Sequence, residues 1–190
     1  MIRVAATLPK DAPMFLRDMT DPLIRLMEAD SIDTLWPAAV ALVETAGYAA
    51  LSLVEVSPKD GPLWAKSSMS EMWLYTYATQ GFHAIDPLLL GAMSGQREMC
   101  LQSGALWPGG PANEKAEAME RALIDTGYGQ FDAMAFDKRR HGTRLLVVLA
   151  SHVAATGPES PPLRASRQLL TSTLAAGLNK VSAKDDDGFL

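Results

Sequence analysis

Three side chains in one short stretch have types suited to holding a small polar head group: the Trp73 indole, the Tyr77 phenol and the Asp86 carboxylate, the last followed by Pro87. Trp73 and Tyr77 stand four residues apart, a spacing that puts them on one face of a helix. Each joins a large apolar body to one polar tip, which suits a mostly apolar pocket with few directional contacts. A carboxylate in such a pocket is costly unless a donor reaches it, and an amide N–H on a ligand would be one. Each residue also has a plainer reading. Aromatic pairs at this spacing commonly fill a core, and Asp before Pro commonly starts a helix. Spacing alone does not choose between them.

Other reactive chemistries find little support. His83, His141 and His152 lack metal-ligand spacing, and Cys100 is the single cysteine, so neither a metal site nor an internal disulfide is expected. No nucleophile-elbow motif accompanies the histidines, so no catalytic triad is read and the chain is expected not to be an enzyme. Gly109-Gly110 lacks the Lys and the Ser or Thr of a phosphate-cradling loop, and no cofactor is expected. Lys138-Arg139-Arg140-His141 is the one dense basic cluster. Four residues are too few for a nucleic-acid surface, so a solvated turn is the expectation. Met69, Met72, Met93 and Met99 suit adaptable apolar packing, whether in a pocket or in a core.

The elements that must position these residues can be read from periodicity. The 190 residues suffice for one domain, and 48% hydrophobic content suffices for a sizeable core. A net charge of −5 argues against a protein built to follow phosphates. No apolar run approaches the roughly 18 residues that a membrane span needs, and the first residues lack a signal-peptide core. A soluble cytoplasmic protein is expected.

Apolar spacing predicts helices over 21–27 and 30–46, with start signals at Thr20-Asp21-Pro22 and Asp30-Ser31-Ile32-Asp33 and a stop at Gly47. Residues 49–56 alternate as a strand, and 63–67 return after a turn cluster at 57–61. A helix over 70–82 opens at Ser70, and a short one opens at Asp86. An irregular loop at 107–111 precedes a charged amphipathic helix over 113–126, ended by Gly127. Strands over 130–136 and 144–151 flank a hairpin-like turn, and a long helix covers 161–181. Residues 1–15 read as an arm, 16–183 as the domain and 184–190 as a disordered acidic tail. This order is met most economically by an α+β domain, an antiparallel sheet with helices packed on its faces.

The run SEMWLYTYATQGFHAIDPLLLGA, residues 70–92, resembles the autoinducer-binding domain of LuxR-type quorum-sensing regulators through Trp73, Tyr77, Phe82, Asp86 and Pro87. A weaker likeness runs from about Asp21 to Val181 and takes in Gly127, His141-Gly142-Thr143 and Leu149-Ala150-Ser151. The resemblance implies an α-β-α sandwich around a five-stranded antiparallel sheet, with an N-acyl homoserine lactone held inside. By the same carry-over, the Trp73 indole N–H would donate to the lactone carbonyl and Asp86 would accept from the ligand's amide N–H. Tyr77 would pack near the amide and the start of the acyl chain.

The chain also departs from the family pattern. Met69 stands where a tyrosine is common, and Leu101 stands near the place of a second aromatic, for which the nearby Trp107 is a substitute. Val148 occupies a strand position that often carries Thr or Ser, and the glycine expected after Gly127 falls near Phe131 or Asp132. Losing one or two polar contacts of about 1 kcal/mol each would weaken or redirect binding. The candidate ligand residues are therefore Trp73, Tyr77, Asp86, Phe82, Met69, Leu101, Trp107 and Val148.

Full-length members continue into a DNA-reading helix-turn-helix, whereas this chain ends in an acidic run at 184–190, so no DNA-binding domain is expected. The resemblance then implies a sensor of an acyl lactone or related acyl compound. It would modulate transcription indirectly, as a homodimer or as a heterodimer with a full-length LuxR-type regulator, without direct nucleic-acid or membrane contact. Two alternatives stay open: a binder of a non-lactone apolar ligand, and a ligand-free protein-interaction module.

Overall fold

A computed structural model describes residues 14–138, 142–152 and 160–187, with side chains for all of these except 14–17 and 183–187. Residues 1–13 of the expected arm, residues 139–141 of the basic cluster and residues 188–190 of the expected tail lie outside the described residues.

Five antiparallel strands form one sheet: β1 (Ala50–Ser57), β2 (Gly61–Ser67), β3 (Glu98–Gln102), β4 (Gln130–Asp137) and β5 (Arg144–Ser151), in the order β2-β1-β5-β4-β3. Strand side chains alternate between faces, so each strand feeds two cores. Leu51 and Leu53 of β1 join Leu145, Val147 and Leu149 of β5 on one face, against helices α1 (Met14–Glu28), α2 (Ile32–Thr45) and α6 (Pro161–Asp187). Ala50 and Val56 join Leu146, Val148 and Ala150 on the other, under α3 (Glu71–Thr79), α4 (Pro87–Met93) and α5 (Glu114–Asp125). The molecule is thus a mixed α/β fold, a five-stranded antiparallel sheet between helical layers. β5 is buried on both faces because it is central, which is why residues 145–150 read as one unbroken apolar run. β2 is an edge, and it tolerates Pro62 where the register with β1 shifts.

Several elements differ from their predicted bounds. β3 is absent from the pattern reading: five residues give too few alternations to register, and the strand exists by pairing with β4. Thr20-Asp21-Pro22 does not start a helix. α1 already begins at Met14 and carries Pro22 inside it. The helix expected over 70–82 divides, because α3 ends at Thr79 and Gly81 adopts φ +61°. That left-handed turn, natural to glycine, leads into a short 3-10 turn over Phe82–Ala84. At the other end, α6 runs past 181 to Asp187. No helix among the described residues is long and apolar enough to cross a membrane.

Candidate functional site

The site begins with the cap of α3. The Ser70 hydroxyl accepts from the Trp73 backbone N–H at 3.3 Å, and the Ser70 N–H donates to the Tyr128 phenol oxygen at 3.2 Å. Tyr128 is itself buried and stacks on His152 at 5.3 Å, so the first turn of α3 is tied to the turn between α5 and β4. Trp73 is consequently held against the sheet, 5% exposed. Its ring lies 5.5 Å from Tyr77 and 6.2 Å from Phe82, while Tyr77 meets Phe82 edge-on at 6.3 Å. Such offset and edge-on contacts are the favourable aromatic geometries.

Asp86 has two roles at once. One carboxylate oxygen, Oδ1, caps α4 by accepting from the Leu88 N–H at 2.8 Å, with Pro87 at the first helical position. The other, Oδ2, accepts from the Tyr77 hydroxyl at 2.7 Å. An ionised carboxylate has about four lone-pair sites, so the bonds from Leu88, Leu89 and Tyr77 leave room for one further donor. Loss of solvation pushes the Asp86 carboxyl above the ordinary carboxylate range, and the bonds from Tyr77, Leu88 and Leu89 oppose that rise. Burial and the neighbouring Asp86 charge push the Tyr77 phenol far upward, so it stays a neutral donor. At the far end of α4, the buried Arg144 guanidinium donates to the Ala92 carbonyl at 2.5 Å and the Gln96 carbonyl at 3.0 Å. Arg144 Nε also bonds Asp137 at 2.9 Å, so β5 anchors the helix that presents Asp86.

These elements border a partly open cavity of about 320 Å³ between the sheet and the α3–α4–α5 layer. Trp73, Tyr77, Asp86, Met69, Leu101 and Val148 all line it. Phe82 and Trp107 do not: Phe82 is 1% exposed and supports the Trp73 and Tyr77 rings from behind. Trp107 packs at the margin of the same core, and its neighbour Leu106 supplies the wall instead, its N–H held by Glu120 at 3.1 Å. No described residue accepts from the Trp73 indole N–H. Lys66 also touches the cavity, but its ammonium stands 5.5 Å over the Trp36 ring on the other side of the sheet.

Several wall residues lie outside the candidate stretch. Met119 and Leu123 line the cavity from α5, where their spacing of four was a usable signal. Ser52 and Ser67 line it from β1 and β2, with their hydroxyl oxygens 2.7 Å apart. Ser52 lies directly opposite Val148 in the β1–β5 register. Neither serine is hydrogen-bonded to a histidine or a carboxylate among the described residues, and no described group of three His, Cys, Asp or Glu could hold a metal ion. The arrangement can therefore hold a compound by a few directed hydrogen bonds and much apolar contact. A larger, open groove of about 670 Å³ between α1 and α2, rimmed by Asp21, Glu28, Asp30 and Asp33, contains none of the candidate residues.

No protein-family profile matches the chain, and no curated protein does. Solved structures do match. A LuxR-family transcription factor described as N-acylhomoserine lactone dependent, CepR2 from Burkholderia cenocepacia, is 16% identical. Its TM-score is 0.67, over 87% of this chain and 93% of that one. Escherichia coli SdiA is 17% identical, with a TM-score of 0.66 over 88% of this chain and 69% of that one. SdiA in complex with octanoyl-rac-glycerol is 16% identical, with a TM-score of 0.65 over 93% and 69%. The likeness at this identity is one of fold, and the fold is that of a LuxR-type ligand-binding domain.

Proposed function

We propose that this chain is a sensor domain whose cavity takes a neutral acyl compound with an amide, lactone or ester head group, an N-acyl homoserine lactone being the leading candidate. The observation that carries this reading is the cavity wall. An indole N–H without an acceptor among the described residues and a carboxylate with room for one more donor line the same largely apolar space. A carbonyl oxygen satisfies the first and an amide N–H or hydroxyl the second, while the acyl chain fills the rest. The Asp86 carboxylate disfavours a free fatty acid, whose own carboxylate would be repelled. A cavity of about 320 Å³ is at the small end for ligand sites, which favours short to medium chains. Both CepR2, by its description, and SdiA, by its bound octanoyl-rac-glycerol, handle neutral acyl compounds.

The test is thermal unfolding with N-octanoyl homoserine lactone or 1-octanoyl-glycerol. Binding to the folded state raises the unfolding temperature in proportion to the logarithm of ligand concentration. Trp73→Phe keeps the ring packing and removes the N–H; Asp86→Asn keeps a helix cap and removes the charge. Each is expected to lower affinity about tenfold. Absence of any shift with either compound sinks the reading.

The proposal extends to partners: the domain pairs with a second LuxR-type chain, a copy of itself or a full-length regulator, to modulate transcription. Leu163 and Leu169, 54% and 70% exposed on α6, support that helix as the pairing surface. Sedimentation of the protein alone and mixed with such a regulator reads it out, and Leu169→Glu is expected to weaken any dimer seen.

A further inference from the structure

Asp132 and Asp86 are both carboxylates set into the body of the fold, and their partners differ in charge. Asp132 pairs with the buried Arg167 guanidinium. No Lys, Arg or His among the described residues forms an ion pair with Asp86. Its donors are the Tyr77 hydroxyl and the Leu88 and Leu89 backbone N–H groups, all of them neutral. Two basic side chains, Lys66 and His83, do border the same cavity. The Lys66 ammonium is nevertheless spent on the Trp36 ring, 5.5 Å away. Loss of solvation therefore pushes the Asp86 carboxyl upward with no cation to oppose it. Charge inside a protein is ordinarily paired, and this one is not.

The walls beside Asp86 add attraction of the same sign. The Trp73 and Tyr77 rings border the cavity there, with centroids 5.5 Å apart and planes tilted by 57°. Aromatic faces carry the negative side of the ring quadrupole and attract a cation within about 6 Å. A carboxylate and two aromatic rings thus meet at one corner of a largely apolar space.

We infer that the head-group end of the cavity is a cation site, whose preferred ligand is an acyl ester or amide carrying a protonated amine beside its carbonyl. This rests on the acyl-ligand reading of the cavity and extends it from neutral head groups to a charged one. The carbonyl oxygen accepts from the Trp73 indole. The ammonium N–H takes the one place that Leu88, Leu89 and Tyr77 leave on Asp86, and its alkyl substituents lie against the rings. A hydroxyl in that place makes a hydrogen bond without the ion pair, and the charge-assisted bond is the stronger.

Isothermal titration of the full chain near pH 7 with two esters tests this: 2-(dimethylamino)ethyl octanoate and 2-hydroxyethyl octanoate. They share chain, carbonyl and spacer, and each has a single donor, but only the first is a cation. The expected result is binding of the amino ester about tenfold tighter. The preference should hold in about 0.5 M sodium chloride, which screens attraction to surface carboxylates and leaves a pair inside the cavity largely intact. In Asp86→Asn and Asp86→Ser, which keep a helix-capping oxygen and lose the charge, the ratio of the two affinities should fall to about one.

Equal affinity for the two esters in the unaltered protein overturns the cation site and leaves the neutral acyl reading standing. A preference erased by salt, or one that persists in both variants, also overturns it. Binding of the amino ester alone supports the cation site and counts against neutral ligands, whereas failure of both esters overturns the two readings together. The salt comparison on the unaltered protein decides the matter even where neither variant folds.

Discussion

On the face of the sheet covered by α1, α2 and α6, Leu51, Leu53, Leu145, Val147 and Leu149 are all fully buried. On the opposite face Val54 and Leu101 are only half-buried and border the cavity, together with Val148. Both faces are made by the same strands and the same alternation, so the difference arises in the helices that cover them. α1, α2 and α6 have 15, 14 and 27 residues, whereas α3 and α4 have 9 and 7. A helix advances about 1.5 Å per residue and a strand about 3.3 Å, so a nine-residue helix spans barely half of an eight-residue strand. Short helices meeting at turns leave volume between them and the sheet. The cavity follows from that shortfall in cover.

Polar groups divide between the faces in the same way. On the packed side the buried Arg167 bonds Asp132 at 2.5 Å and Glu98 at 2.6 Å, so charge there is neutralised within the protein. On the cavity side the Trp73 N–H and one serine hydroxyl have no acceptor among the described residues. One face pairs its buried charges within the protein; the other carries polar groups at the cavity wall.

The strongest test of this contrast is Arg167→Met. It leaves the Asp132 carboxylate in the packed layer without its guanidinium, with the Gln130 amide still donating to it, and is expected to cost about 3 kcal/mol in urea unfolding. Adding Asp132→Leu should recover a substantial part, because the burial penalty then disappears along with the pair. Next in size is a pair of truncations. Leu149→Ala on the packed face is expected to cost about 3 kcal/mol, and Leu101→Ala at the cavity about 1 kcal/mol, since atoms beside empty space have fewer contacts to lose. Equal costs would break the comparison.

The smallest expected effect is in pH dependence, and its sign differs between the faces. The hydrogen bond from Arg164, helped by the charges of Arg164 and Arg167, holds Glu98 below its ordinary value of 4.5. Its contribution is therefore present above pH 4.5 and is lost as pH falls toward the folded value. Asp86 is raised above 3.8, so the folded state holds its proton longer, and stability declines as pH rises from 3.8 through the folded value. Glu98→Gln should flatten the acid-side loss and Asp86→Asn the opposite slope, read as unfolding midpoint against pH. Solvent screening at the partly exposed Glu98 keeps its effect small.

Much of this was legible in local patterns. Ser70 caps its helix as expected, and Asp86-Pro87 opens α4. The alternation of β1 and the apolar run of β5 both identify strands. The candidate stretch also yields the rings and carboxylate that meet at the cavity, although Phe82 turns out to support the wall and Trp107 to stand beside it. What escaped was set by partners far along the chain: β3, which exists through β4, the Ser52–Ser67 pair, and the ion cluster joining Glu98 and Asp132 to Arg167.

By itself, then, the sequence determined where α3 and α4 start, which way the side chains of β1 alternate, and that an indole and a phenol share one helical face. Caps and periodicities depend on residues a few positions apart, and no tertiary context is needed to state them. Only the tertiary structure decided that the Tyr77 phenol reaches Asp86, that two serines from neighbouring strands share a single bond, and that space remains beneath α3 and α4. A cavity belongs to no residue, because it is the volume left when elements of unequal length dock on one sheet.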